Sequence, residues 1–149
     1  MASGTFDIIH PGHGFYLQEA KKLGGEDSIL MVVIATDKTV QKHKRIPIIS
    51  QEQRCEMISM LKSVDEAYIG DENDPLKIVK EKKPDIIAIG PDQTFDPEKL
   101  RKNLLNSGLD IEVVKIEDYK KFELDSTCKI IRKIKKTHFN EDAFQDCND

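Results

Sequence analysis

Apolar positions along this chain alternate between helical and strand spacing, and the alternation marks out its elements. Behind His10-Pro11-Gly12-His13, residues Tyr16, Leu17, Ala20 and Leu23 share one side of a helical projection. Gln18, Glu19, Lys21 and Lys22 fall on the other, which predicts an amphipathic helix. The continuous apolar run Ile29–Ala35 predicts a buried strand. Thr36–Ser50 is polar and lysine-rich and is read as a loop. Ser50-Gln51-Glu52-Gln53 has the form of a capping box, opening a helix that turns Cys55, Ile58 and Leu61 inward. Ala67-Tyr68-Ile69 is a short strand closed by Gly70. Asp74-Pro75 pairs an N-cap with a proline at the first helical position, so Leu76–Lys82 is predicted helical. Asp85–Ile89, ended by Gly90, is the strongest strand. Asp96-Pro97 repeats the cap-and-proline signal for a helix through about Asn106, with Gly108 past its end. Ile111–Ile116 is the last strand and Ser126–Thr137 the last helix.

Strands alternating with helices imply an α/β fold, a parallel sheet of about five strands with helices on both faces. No linker, repeat or low-complexity segment divides the chain, so residues 1–149 are expected to form one domain. The stretch 138–149, with Glu141, Asp142, Asp146 and Asp149, reads as an acidic tail. Only Met1, Ala2 and Ser3 precede Gly4, which is short for a central strand. Either Met1 is an internal residue of a longer natural product, or the strand runs on through Gly4 and Thr5.

Charge and composition narrow the function classes. With 23 basic and 27 acidic residues the formal net charge is −4, which disfavours a general nucleic-acid binder. No apolar run approaches the roughly 18 residues of a membrane span, and no signal peptide is visible, so a cytoplasmic protein is expected. Three widely spaced cysteines without a Cys-x-x-Cys pair argue against a disulfide framework or a zinc site. Cys55 and Cys128 fall in apolar helical patterns and are expected to be buried small hydrophobes. Cys147 lies in the polar tail, with nothing adjacent that would lower its pKa.

The candidate chemistry gathers where the strands end. In open α/β sheets ligands bind beyond the carboxyl ends of the strands, where the strand order reverses. His10 and His13 stand there at a helix start, where backbone N–H groups and the helix dipole favour an anion and Gly12 would let phosphate approach the main chain. A metal site is the weaker reading, because no third and fourth ligand accompany the two imidazoles. Lys42 and Lys44, in a loop with Lys38, His43 and Arg45, are the cations expected to face phosphate. Arg54 reaches either phosphate or a carboxylate. In Gly90-Pro91-Asp92-Gln93, Asp92 suits a ribose or an acceptor and Gln93 a base edge. Ser126 and Thr127 serve phosphate or simply cap the last helix.

Gly4-Thr5-Phe6-Asp7…His10-Pro11-Gly12-His13, followed by the loop lysines, Arg54, Gly90-Pro91-Asp92 and Ser126-Thr127, resembles the cytidylyltransferase-like nucleotidyltransferases, marked by a His-x-Gly-His motif. The resemblance spans about Gly4 to Ile134. It implies a Rossmann-like fold, nucleotidyl transfer from a nucleoside triphosphate to a phosphate-bearing acceptor, release of pyrophosphate, Mg²⁺ dependence and often a homodimer. It also adds Gly4, Thr5 and Phe6 to the nucleotide site. Gly90–Asp96 and Tyr119-Lys120-Lys121 are most similar to the archaeal FAD synthetases, which adenylylate FMN with ATP. Glycerol-3-phosphate cytidylyltransferases carry an Arg-Thr-Glu-Gly-Ile-Ser-Thr-Thr signature, replaced here by Lys121-Phe122-Glu123-Leu124-Asp125-Ser126-Thr127-Cys128. Sugar-phosphate nucleotidyltransferases, such as those acting on heptose phosphate, are a third possibility, and a nucleotide sensor without catalysis a remoter one. The expected reaction is an in-line displacement. The acceptor phosphate would attack the α-phosphorus, with His10 and His13 on the phosphates, Lys42 and Lys44 on the acceptor, and no residue ligating a metal.

Overall fold

A computed structural model describes residues 1–43, 45–117 and 121–137. Five strands form one parallel sheet: β1 (Ala2–Gly4), β2 (Met31–Ile34), β3 (Glu66–Ile69), β4 (Ile86–Ile89) and β5 (Glu112–Lys115). Among the described residues six helices connect or follow them: α1 (Pro11–Leu23), α2 (Asp37–His43), α3 (Gln51–Ser59), α4 (Lys77–Lys82), α5 (Pro97–Asn106) and α6 (Thr127–Lys136). The strand order is β3-β2-β1-β4-β5, so the chain winds outward from β1 in one direction and then returns to build the other half. This is the expected Rossmann-like α/β architecture.

The alternation of side chains across each strand sorts the core into two layers. Ala2, Val32 and Ala88 share one register row and face Tyr16, Leu17 and Ala20 of α1 and Ile58 of α3. Ile87, one position from Ala88, points the other way and packs with Val79 of α4 and Leu104 of α5. Helices therefore cover both faces.

The first strand is short and ends at Gly4. Ala2, Ser3 and Gly4 pair with Val32, Val33 and Ile34, and the Gly4 carbonyl accepts from the Ala35 amide at 2.9 Å. Thr5 lies outside the strand. Three sequence expectations need correction. Thr36–Ser50 is no continuous loop, for it contains α2. There the Thr36 hydroxyl accepts from the Thr39 amide at 3.2 Å, closing a helix start that the lysines obscure. The first helix begins at Pro11, so the histidine turn is its first turn and not a segment ahead of it. Cys128 is exposed at the start of α6, on the side that lines a cleft at the carboxyl ends of the strands, whereas Cys55 is half-buried as part of the α3 face.

Candidate active site

The point where the winding reverses lies between β1 and β4, and a cleft of about 930 Å³ opens there at the carboxyl ends of the strands. A smaller cavity of about 580 Å³, lined by Met1, Met31 and Ile86 among others, sits at the amino ends, away from the histidine turn and the other candidate site residues.

The floor of the cleft is built from the turn after β1. Phe6 has φ of +52°, a left-handed conformation unusual for a side chain of this size. That twist folds its ring back over Gly4, where a Cβ would come within 2.8 Å of the ring, so residue 4 has to be glycine. Phe6 in turn meets His13 edge-on, with ring centroids 5.1 Å apart, and stacks near-parallel to Tyr16 at 6.4 Å. His10 occupies the N-cap of α1 in extended conformation, Pro11 takes the first helical position, and the two imidazoles stack at 3.7 Å. Gly12 lines the cleft and has a packing role as well. A Cβ there would lie 2.7 Å from the Asp125 carbonyl oxygen, so the glycine admits the segment before α6, packed hard against α1.

Burial lowers the pKa of His10, against the opposing pull of Asp125 and Asp92, so the ring is neutral near pH 7. Its Nδ1 is buried and has no hydrogen-bond partner among the described residues. Tyr16 is held rigid below: its hydroxyl donates to the Ala88 carbonyl at 2.9 Å, and burial raises its pKa well beyond the ordinary phenol range.

Two flanks rise from this floor. On the β2 side, Asp7 is buried and accepts from the amides of Ile48 at 3.0 Å and Ile49 at 2.8 Å, and it pairs with Arg45 at 2.5 Å. Burial alone would raise the Asp7 pKa, but the two amides and the guanidinium outweigh it and hold the carboxyl below its ordinary value. On the β4–β5 side, the Ser126 hydroxyl caps α6 by accepting from the Lys129 amide, and Lys129 reaches back to the buried Asp125 carboxylate at 2.6 Å. The starts of α1 and α6 thus converge on one cleft, with Arg45, Lys121 and Lys129 as cations and Asp92 as a further carboxylate on its wall. Two helix N-termini, two imidazoles and three cations make a site for a polyphosphate.

Of the residues singled out in the sequence, Gly4, Thr5, Phe6, Gly12, His10 and His13 come together in this cleft. So do Asp92, Ser126 and Thr127. Gly90 stands just behind the wall, where its amide donates to the Gln93 side chain at 2.8 Å. Gln93 donates onward to the Ser3 carbonyl at 2.8 Å, so it braces β1 against β4 with the groups a base edge would need. Lys42 is exposed on α2 and does not line the cleft, because α2 turns it outward. Lys44, Tyr119, Lys120 and the tail 138–149 with Cys147 lie outside the described residues.

Arg54 is fully buried and also absent from the cleft wall. Its guanidinium donates to the carbonyls of Ile49, Thr5 and Ala35 and pairs with Asp37 at 2.7 Å, tying the turn after β1 to α2 and α3. Sequence reasoning missed Asp7, Asp125 and Lys129, and passed over Arg45 in favour of its lysine neighbours. The spacing of Asp125 and Lys129, four apart at a helix start, is a signal that could have found that pair.

The cytidylyltransferase-like family matches residues 1–133. The FAD synthase of Methanosphaera stadtmanae is 74% identical over 147 residues, covering 99% of this chain and 99% of that protein. The FAD synthase of Methanothermobacter marburgensis is 60% identical, covering 99% and 91%. Among solved structures, a lipopolysaccharide core biosynthesis protein from Thermoplasma volcanium superposes with a TM-score of 0.76 at 45% identity, covering 80% of this chain and 96% of that one. A protein of unknown function from Archaeoglobus fulgidus shares the fold, with a TM-score of 0.61 at 22% identity over 85% and 91% of the two chains. With its cleft at the strand reversal and its His10-Pro11-Gly12-His13 turn at the start of α1, the chain belongs to the cytidylyltransferase-like family.

Proposed function

We propose that this enzyme transfers AMP from ATP to the phosphate of FMN, giving FAD and pyrophosphate. The observation that carries the reading is 74% identity, over 99% of both chains, to a protein named FAD synthase. A phosphate oxygen of FMN attacks the α-phosphorus of ATP in line, a new P–O bond forms, and the bond to the β-phosphate oxygen breaks as pyrophosphate departs. No covalent enzyme intermediate is required, so catalysis rests on positioning and on charge stabilisation at phosphorus. His10 and His13 donate to phosphate oxygens from the centre of the cleft. The starts of α1 and α6, with Ser126, Thr127 and Lys129, receive the triphosphate. Asp92 faces the nucleotide or the acceptor. Arg45 takes the acceptor-phosphate role that Lys42, turned outward, is badly placed to fill, and Lys44 belongs to the same basic segment.

Among the described residues no three His, Cys, Asp or Glu side chains come together as a metal cage. Mg²⁺ is suited to such a cleft as part of its MgATP substrate, since it binds mainly through phosphates and keeps several waters. The name of the Thermoplasma structure supports a sugar phosphate as the second acceptor to test. Incubation with ATP and Mg²⁺ against FMN, a heptose phosphate and, with CTP, glycerol 3-phosphate is expected to release pyrophosphate with FMN and to yield FAD. CDP-glycerol as the product overturns the reading, and ATP binding without pyrophosphate from any acceptor makes the protein a sensor. Sedimentation of the same sample tests the homodimer that we include in the proposal.

A further inference from the structure

On the β2 flank an apolar lip lies where the histidine turn gives it no role. Ile46 and Ile48, directly after Arg45, are 73% and 64% exposed. Isolated exposed aliphatic side chains are ordinary. Here two occur within three residues, and their main chain is held. Pro47 biases Ile46 toward extended backbone, and Asp7 accepts the amides of Ile48 and Ile49. Neither Ile46 nor Ile48 belongs to a core cluster. Asp7 and Arg45 line the cleft; Ile46, Pro47 and Ile48 follow directly outside its lining, so the pinned apolar surface adjoins that guanidinium from the solvent side.

We propose that the Ile46-Pro47-Ile48 lip seats the isoalloxazine ring of the acceptor, with Arg45 on its phosphate. The inference rests on the FMN reading above. FMN is a flat, largely apolar ring system joined by a ribityl chain to a phosphate dianion, which matches an apolar lip beside a cation. Ligand sites of this kind combine apolar walls with a few fixed polar groups. A glycerol or sugar phosphate has no ring to place against two isoleucines, so the lip selects among phosphate acceptors. The flank is the right one for an acceptor. Ser126, Thr127 and Lys129 gather on the opposite flank, and the incoming phosphate and departing pyrophosphate must lie on opposite sides of the α-phosphorus.

The test is the double variant Ile46→Ser/Ile48→Ser with Arg45 intact. Both side chains are exposed, so the melt should stay within the range of surface substitutions. The KM for FMN, and its Kd by quenching of flavin fluorescence, should rise about tenfold or more. The KM for ATP and the kcat at saturating FMN should stay unchanged. Inorganic phosphate, which has no ring, should keep its inhibition constant against FMN. An unchanged Kd for FMN, or an equal loss of phosphate inhibition, overturns the proposal. So does a variant that sediments as monomer where the parent is a dimer while FMN binding is unchanged, because the lip is then a contact between copies. A parent enzyme that makes no FAD defeats the functional reading itself. A parent that makes FAD beside a variant with unaltered FMN affinity defeats only the lip.

Discussion

His13 leans on Phe6 and stacks with His10, so its ring is oriented before any substrate arrives. Removing one preorganised donor of this kind typically lowers turnover by about 10²–10³. His13→Ala is expected to show that loss in a pyrophosphate-release assay, with a melting temperature close to that of the parent. Gly12→Ala should behave differently. Alanine is favoured over glycine inside a helix by up to ~1 kcal/mol, yet its methyl would lie 2.7 Å from the Asp125 carbonyl. Overpacking against main chain typically costs about 1–3 kcal/mol, so collision wins. The variant is expected to melt lower in a thermal scan and to lose activity as the segment before α6 is pushed from α1. His10 gives a pH signature. Its folded pKa is lowered by burial, so between that value and the ordinary 6.5 the unfolded chain takes a proton that the folded chain refuses. Stability should therefore fall as pH drops through this window, and a melt-against-pH series should show a shallower fall in His10→Gln. The histidines and their glycine were legible because short motifs carry residue identity. The packing role of Gly12 was not, because it depends on a carbonyl more than a hundred positions away.

Helix α2 and the buried guanidinium behind it carry the lesson at the scale of elements. Long amphipathic helices such as α1 and α5 announce themselves by periodicity and by their caps; Asp96, for example, accepts from the amides of Glu98 and Lys99. A seven-residue helix in a lysine-rich stretch offers too few apolar repeats, so α2 escaped while its cations drew attention as phosphate ligands. Arg54 shows the same limit. A sequence cannot tell an arginine that meets a ligand from one whose donors are taken up by carbonyls. Here α2, α3 and the turn after β1 share one guanidinium, which makes it a joint between elements. Arg54→Met would strand those carbonyls and unpair Asp37. Asp37 is partly exposed and would be solvated, so the loss comes from buried carbonyls left without a donor, about 1–3 kcal/mol each, at roughly 2–4 °C of melting temperature per kcal/mol in a chain of this size. Denaturant unfolding should register that loss. Arg54→Lys should recover little of it, since an ammonium cannot span partners set around a planar fork.

At the scale of the whole molecule, the alternating pattern made legible a parallel sheet covered on both faces and a site beyond the carboxyl ends of its strands. The strand order, with its reversal between β1 and β4, came only with the structure. Also unread was how the two flanks are fastened. Gln93 donates to Ser3 across 90 positions, and Thr127 reaches the Ile8 carbonyl across 119. Ligand that binds only the folded state stabilises it by about 2.7 kcal/mol at a hundredfold excess over Kd. ATP with Mg²⁺ is accordingly expected to raise the melting temperature. Hydrogen exchange should slow at the starts of both α1 and α6, and protection confined to α1 would refute a triphosphate spanning the two. The long-range ties have a consequence for how the chain comes into being. During synthesis Ser3 is made 90 residues ahead of the glutamine that braces its strand, and the histidine turn more than a hundred ahead of the threonine beside its loop. The nascent chain therefore carries an anion-binding turn with no opposite wall until Ser126 and Thr127 have been added. Nucleotide affinity should appear in a single step once α6 has cleared the ribosome.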